Sequence, residues 1–323
     1  MNKQTVFAIA IGAGIAAGLM AIAGLRPSAF SLPLFIGAPF AVYVASLGWG
    51  TASGVIAAVV ATGAALLWHG PAAAAVTAGL LFAPAALAGH LANLARPAPH
   101  GAGMDWYPIS GIVLRLMASL GVGFVIAGAV LGYDTNEVAE AFVGLFRELT
   151  ASDPAITAPS EEVLQQSART YAALLPAVIP AMWLFAHVLV MHLAAIVTAR
   201  SALLARPAED IAANVRLPSW AIAVPAFGIA GMILLGSPLY EVCAIAAGIG
   251  IAGFALTGLA DLHVATRGKP ARGIVLFFAW LTLVIFGFPV FIFAAMGVAR
   301  SLRRTPPNQP PAGNSGPGGI AKT

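Results

Sequence analysis

The sequence predicts an all-α fold, a polytopic transmembrane helical bundle of about eight or nine spans with an extracytoplasmic amphipathic helical insertion. Hydrophobic residues make up 60% of the 323 residues and charged residues only 9%, whereas a soluble domain carries about 25% charged residues. Residues 27–95 contain no Lys, Arg, Asp or Glu, which leaves room for three spans of about 20 residues. The 35 glycines are typical of closely packed transmembrane helices.

Charged loops, prolines and glycines divide the hydrophobic segments. The first, 5–25, is too long for a typical signal peptide and is taken as a span. The second contains Pro33 and Pro39, which predict a broken or re-entrant segment. The predicted spans are 5–25, 29–47, 51–69, 72–94, 108–132, 171–199, 218–236, 239–262 and 273–299.

A transmembrane helical domain over residues 1–304 is therefore expected, followed by a tail over 305–323. The tail is rich in Pro, Gly and Asn. Such a composition cannot bury a core, so the tail is predicted to be disordered.

Residues 134–170 form a segment of a different kind, with seven of the twelve acidic residues and only two basic ones. An amphipathic helix is predicted, with Thr135 or Asn136 as its N-cap and a second helix starting after Ser160. Two interpretations stay open: a solvated loop on the bilayer or the bundle, or a lid over an outward-facing cavity. The apolar positions at helical spacing are Val138, Phe142, Leu145 and Leu149.

The distribution of Lys and Arg predicts the orientation in a bacterial inner membrane. The basic loops 96–107, 200–217 and 263–272 are expected in the cytoplasm, and the acidic segment 133–170 outside. Nine full spans would place the arginines after residue 299 outside, against the same rule. Either one segment does not cross, or the rule fails there. A re-entrant last segment would return the C-terminus to the cytoplasm, whereas a re-entrant second segment would not.

Standard catalytic motifs are absent from the sequence, including a nucleotide loop, a metalloprotease motif and paired carboxylates within a span. The chain is therefore predicted not to be an enzyme, with no cofactor and no metal site. Its single cysteine, Cys243, excludes an intrachain disulfide and a cysteine cluster. The basic residues are scattered between spans, so no nucleic-acid partner is expected.

Ionisable residues inside spans are the best candidates for a site, because charge is costly there. His187 lies near the middle of span 171–199, with Trp183, Pro180 and Pro176 on the same face. Prolines free backbone carbonyls. This face either lines a ligand cavity or carries a neutral histidine bonded to a freed carbonyl. Glu241, at one end of span 239–262, lies near an interface, where charge costs little.

Several segments resemble those of the YybS-like family of uncharacterised bacterial membrane proteins. That family is similar in fold to the substrate-binding S components of energy-coupling-factor transporters, which are bundles of about six helices that work with a membrane partner subunit and ATPases. The matching stretches are Pro33-Leu34-Phe35, Pro39-Phe40-Ala41-Val42-Tyr43, Gly48-Trp49-Gly50, Arg200-Ser201-Ala202-Leu203-Leu204, Leu217-Pro218-Ser219-Trp220 and Gly258-Leu259 with His263.

The resemblance implies roles for two further sets of residues. Ala10, Gly14 and Gly18 form a ridge of small residues like the one by which S components meet their partner subunit. The loop that starts at Arg26 sits where S components close over ligand, so Arg26 joins Trp183 and His187 as a candidate ligand-binding residue. Members often carry an acidic residue before a terminal Arg, and this chain lacks it. No particular ligand is implied.

Two functions follow from these observations. The first is a substrate-binding or transport component for an unknown small molecule, acting with partner subunits in the lipid bilayer. The alternative is a non-transport membrane scaffold that recruits envelope or membrane-associated machinery. A polar-lined cavity would favour the first, and a solidly packed bundle the second.

Overall fold

In the computed structural model, which describes residues 2–98, 103–153, 159–207 and 209–303, the described chain is almost entirely helical. The all-α prediction is confirmed. Six helices are long and apolar enough to cross a membrane: Lys3–Gly24, Ser31–Trp49, Thr51–Ala92, Ile109–Leu131, Glu161–Arg200 and Leu239–Ala265. The predicted disordered tail, 305–323, lies outside the described residues.

The elements follow one another along the chain with short connections. The helices before the hairpin are α1 (Lys3–Gly24), α2 (Ser31–Gly37), α3 (Pro39–Trp49), α4 (Thr51–Thr77), a π-helical turn (Ala78–Phe82) and α5 (Ala83–Ala92). Strands β1 (Ala95–Pro97) and β2 (Met104–Trp106) pair antiparallel. The later helices are α6 (Ile109–Leu131), α7 (Thr135–Ser152), α8 (Glu161–Arg200), α9 (Ile211–Asn214), a 3₁₀ turn (Ser219–Ile222), α10 (Ala223–Leu234), α11 (Leu239–Ala265), α12 (Arg272–Phe286) and α13 (Pro289–Leu302).

The apolar stretch from Thr51 to Ala92 is divided into two antiparallel arms. Gly70 has φ 83°, in the left-handed region that favours glycine, and Pro71 follows it. The side chains of Thr51 and His90 are 3.0 Å apart, so the start of the first arm lies beside the end of the second. The helix therefore breaks between residues 69 and 72, where the sequence predicted a boundary between two hydrophobic segments.

The second predicted span is a kinked helix and does not reverse direction. Helices α2 and α3 meet at Ala38, which keeps helical backbone angles, and Pro39 opens α3. Proline is tolerated in the first turn because its missing N–H has no partner there in any helix. The prolines thus explain a break in the helix without a re-entrant loop.

Helix α11 is the centre of the bundle and packs against α8, α10 and α13. Its contact with α13 is made by backbone. A Cβ on Gly258 would lie 1.9 Å from the Phe293 carbonyl oxygen, and one on Gly297 would lie 1.9 Å from that of Phe254. Only glycine permits this approach, which is the packing expected between apolar helices in lipid.

One end of the molecule gathers the basic loops, and we call it the basic end. Arg206 donates to the Tyr107 carbonyl at 2.8 Å, joining the loop after α8 to the loop before α6. Arg267, after α11, forms an ion pair with Asp210. The predicted basic loops are therefore together, and α6, a helix of 23 residues or about 34 Å, separates them from the acidic segment.

The last predicted span, 273–299, forms two short helices. Gly287, with φ 67°, separates α12 from α13. Arg272, at the start of α12, donates to the His263 carbonyl, and Arg300, near the end of α13, donates to the Ala213 carbonyl at 2.9 Å. Both ends of the segment therefore lie at the basic end.

Helix α7 packs against the first turns of α8, at the end opposite the basic loops. Its N-cap is Asp134, whose carboxylate accepts from the backbone of Asn136 and Glu137, so the predicted caps Thr135 and Asn136 were wrong by one or two residues. The second helix does start after Ser160, and it continues as one helix of 40 residues. That is about 60 Å, twice the thickness of a bilayer core.

The buried face of α7 differs from the predicted apolar face. Ala139 and Val143 pack against Ala168 and Ala172 of α8. Of the predicted positions, Val138 packs against this cluster, whereas Phe142, Leu145 and Leu149 are exposed. Small side chains bring the two helices closer, so α7 turns its larger apolar residues away from α8.

Candidate functional site

A cavity of about 640 Å³ lies between α6, α8 and α11, directly beneath the start of α7. Its walls are mostly apolar, and it is partly open to the surroundings. Among the residues that line it are Leu80, Phe124, Gly128, Tyr133, Asp134, Glu137, Pro176, Pro180 and Glu241.

Glu241 provides a carboxylate in the wall of the cavity. It lies in the first turn of α11, where the helix dipole favours negative charge. Its Oε1 accepts a hydrogen bond from the Thr135 hydroxyl at 3.1 Å. Its Oε2 is buried and has no hydrogen-bond partner among the described residues. A buried carboxylate oxygen without a partner is costly, so a hydrogen-bond donor that reached this atom would stabilise it.

Two further carboxylates, Asp134 and Glu137, lie in the wall formed by α7. The Asp134 carboxylate caps α7. Glu137 lies in the first turn of α7 and lines the cavity. The residues that line the cavity in the described part of the chain include no Lys, Arg or His. The cavity therefore combines an apolar interior with negative charge at one end.

Pro176 and Pro180 line the cavity on the side of α8. Pro176 has no N–H for the carbonyl of Ala172, four residues earlier. Tyr133 replaces that donor, because its hydroxyl donates to the Ala172 carbonyl at 2.8 Å. Partial burial, followed by the nearby charge of Glu241, raises the pKa of Tyr133, so its hydroxyl stays protonated as a donor.

Trp183 and His187 lie deeper along α8, where both contact the carbonyl of Leu80. The indole Nε1 donates to it at 3.0 Å, and the His187 Nε2 lies 2.8 Å from it. Pro84, four residues after Leu80, has no N–H for this carbonyl, and the π-helical turn around Leu80 further disturbs the regular bonding. The predicted bond between His187 and a freed carbonyl is present, but the carbonyl belongs to another helix.

The tautomer of His187 follows from its two partners. A carbonyl can only accept, so Nε2 carries the proton. Nδ1 then accepts from the Tyr43 hydroxyl at 3.0 Å. His187 is 2% exposed and Tyr43 fully buried, so this network is satisfied inside the protein and joins α8 to α3 and to the π-helical turn.

Neither Trp183 nor His187 lines the cavity beneath α7. Trp183 packs between the rings of Phe35 and Phe124, and Phe124 and Leu80 separate the network from the cavity. The cavity lies one to two turns towards the N-terminus of α8, at the prolines. Trp183 and His187, the residues predicted to bind a ligand, therefore do not contact this cavity.

The remaining candidate residues lie elsewhere. Arg26 is exposed in the connection between α1 and α2, where its carbonyl accepts from the Ser31 hydroxyl. Ala10, Gly14 and Gly18 are buried, and a Cβ on Gly14 or Gly18 would clash with α4. The ridge thus holds α1 against α4 of the same chain, and a partner subunit would have to displace α4 to reach it.

No group of three or more His, Cys, Asp or Glu side chains in the described ranges could hold a metal ion. Comparison of the chain with protein-family models, curated proteins and solved structures gives no match. The resemblance to the YybS-like family therefore rests on the sequence motifs alone.

Proposed function

We propose that the protein is a multi-pass component of a bacterial inner membrane that binds, and with partner subunits transports, a small molecule. The cavity beneath α7 is the observation that carries this proposal. A volume of about 640 Å³ is in the range of small-molecule sites, which combine apolar walls with few polar groups. The three carboxylates favour a ligand with an apolar body and a positively charged group.

The proposed topology has eight crossings and a re-entrant helical hairpin. The crossings are α1, α2 with α3, the two arms on either side of Gly70, α6, α8, α10 with its 3₁₀ turn, and α11. Helices α12 and α13 form the hairpin, since the start of α12 and the end of α13 both lie at the basic end. With the basic end in the cytoplasm, the cavity and α7 face outward.

Binding of a hydrophobic cation tests this proposal. Tetraphenylphosphonium is added to the full chain in detergent, with tetraphenylborate as a probe of similar shape and opposite charge. The cation should bind more tightly than the anion. Glu241→Gln should weaken binding of the cation about tenfold, the effect of about 1.4 kcal/mol. Glu148→Gln, on the exposed surface of α7, is the matched control and should have no effect.

A second variant tests the cavity itself. A Cβ on Gly128 would find its nearest neighbour, Tyr133, at 4.0 Å, so Gly128→Leu should fill part of the cavity and reduce binding. Gly144→Leu is its control, because open space surrounds that exposed position of α7. Equal binding of both probes, or equal binding to all variants, would contradict the proposal.

The alternative function, a membrane scaffold, is favoured by α12. This helix buries none of its residues, and Phe277, Phe278 and Val284 are more than half exposed. A helix with apolar residues all around its surface needs lipid or another helix to cover it. Copurification of a stoichiometric partner that depends on α12, with no binding of either probe, would favour the scaffold.

A further inference from the structure

A second cavity, of about 370 Å³, lies at the basic end, far from the cavity beneath α7. The start of α6, the segment before the 3₁₀ turn and the end of α13 surround it. The polar residues and the large aromatic residue that line it are Ser110, Arg216, Trp220 and Ser301.

Two sources of positive potential meet in this cavity. Helix α6 starts after Pro108 with no side-chain cap, so its first N–H groups give the helix end a partial positive charge. Arg216 adds a full charge. The Ser110 hydroxyl accepts from the Arg216 backbone at 2.9 Å and donates to the Asn214 carbonyl at 2.9 Å, which fixes Arg216 beside the helix start.

Ser301 adds a donor that the protein itself does not use. It is 7% exposed, and its hydroxyl has no hydrogen-bond partner among the described residues. Buried hydroxyls are nearly always bonded. Ser301 lines the cavity from α13, so a molecule bound there would offer its hydroxyl an acceptor.

The surroundings of the cavity indicate a membrane interface. Leu114, Leu217 and Pro218 complete its walls, and Trp220 is 63% exposed, as is typical of aromatic residues at the level of lipid headgroups. Three nearby acids form ion pairs of their own: Asp210 with Arg267, Glu209 with Arg206 and Asp261 with Arg300.

We propose that this cavity binds a phosphate group, supplied by the headgroup of an anionic phospholipid. Arg216 and the start of α6 balance the phosphate charge, and Ser301 donates a hydrogen bond to a phosphate oxygen. Trp220 and the leucines contact the glycerol and the first acyl carbons. Basic cavities between helices at the cytoplasmic side of membrane proteins suit such headgroups.

Native mass spectrometry of the full chain in mixed micelles tests this site, with phosphatidylglycerol compared with phosphatidylcholine of the same acyl chains. The wild type should retain phosphatidylglycerol preferentially. Arg216→Gln and Ser301→Ala should each weaken that retention about tenfold, as expected for the loss of one charge-assisted hydrogen bond. Ser301→Ala removes a hydroxyl that has no partner among the described residues, so the lipid-free variant should stay folded. The proposal can therefore be tested with this variant even if Arg216→Gln misfolds.

Arg303→Gln is the matched control, because it removes one positive charge from an exposed position close to Ser301. It should retain phosphatidylglycerol like the wild type. Equal retention of the two lipids by the wild type would overturn the proposal, as would equal losses in Arg303→Gln and Arg216→Gln. Inorganic phosphate at millimolar concentration should stabilise the protein as much as phosphatidylglycerol does only if free phosphate is the ligand. That result would overturn the proposal that a lipid headgroup supplies the phosphate.

Discussion

The hydroxyl of Tyr133 donates to the carbonyl of Ala172 at 2.8 Å, in place of the helical N–H that Pro176 lacks. The same relationship recurs where Pro84 leaves the carbonyl of Leu80 to Trp183 and His187. A buried carbonyl without a donor is costly, and most of all in a bilayer core, where no water can take the place of the missing donor. Side chains from other elements satisfy both carbonyls, so each proline also ties two elements together.

Tyr133→Phe should therefore destabilise the protein. It removes the donor to Ala172 while keeping the aromatic ring, and the expected loss is about 1 kcal/mol in the free energy of unfolding. Chemical unfolding in detergent measures this loss. Tyr171→Phe is the matched control in the same region, because Tyr171 is exposed. Equal stability of Tyr133→Phe and the control would show that another donor serves this carbonyl.

The bond between Tyr43 and His187 predicts coupling in a double-mutant cycle. His187→Leu leaves the buried Tyr43 hydroxyl without its acceptor, and Tyr43→Phe leaves the His187 Nδ1 without its donor. The double variant removes both groups, so it should lose less stability than the sum of the single variants, by about 1 kcal/mol. Tyr43→Phe combined with Thr198→Val, which alters a different bond in α8, should be additive.

The contact of α11 with α13 predicts that Gly258→Ala lowers the yield of folded protein. The new Cβ would lie 1.9 Å from the Phe293 carbonyl oxygen, and separating two packed helices costs about 1–3 kcal/mol. Gly12→Ala is the control, because nothing lies within 4 Å of a Cβ there. Size-exclusion chromatography of fluorescent fusions measures both yields. Similar yields would contradict the backbone contact.

The ion pair between Asp210 and Arg267 predicts a dependence of stability on pH. Hydrogen bonds from Arg267 lower the pKa of Asp210 to about 2, whereas the unfolded value is about 3.9. A carboxyl with a lowered pKa stabilises the folded state above its unfolded pKa, and that contribution is lost as the pH falls towards 2. The stability difference between wild type and Asp210→Asn should therefore shrink from pH 5 to pH 2.5. A difference that stays constant would contradict the pairing.

The sequence predicted those parts of the fold that depend on local signals. The break at Gly70–Pro71 and the helix start after Ser160 were both predicted from such signals. The buried face of α7 was not predicted correctly. Whether Phe142 or Val143 faces α8 depends on how closely α8 approaches, which no local signal gives. The closed ridge at Gly14 was also missed, because nothing local identifies α4 as its partner.

The site was only partly predictable for the same reason. The two prolines in α8 indicated an unusual stretch, and each proline marks the carbonyl four residues earlier as one that needs a donor. The identity of the donors depends on tertiary structure, since Tyr133 lies 39 residues from Ala172. Glu241 was interpreted as an interfacial charge, and only the folded chain brings Thr135 and α7 next to it.

The two ends of the molecule are expected to lie on opposite sides of the membrane. Arg206, in the loop after α8, and Arg303, after α13, both lie at the basic end, whereas Glu148 lies on α7 at the other end. Single cysteines at these positions, in a Cys243→Ala background, can be labelled in intact cells with an impermeant maleimide. Glu148→Cys should react from outside, and Arg206→Cys and Arg303→Cys only after the cells are opened. Labelling of Arg303→Cys in intact cells would contradict the re-entrant hairpin, because α12 and α13 would then cross as one span. Labelling of all three positions from the same side would contradict the proposed topology as a whole.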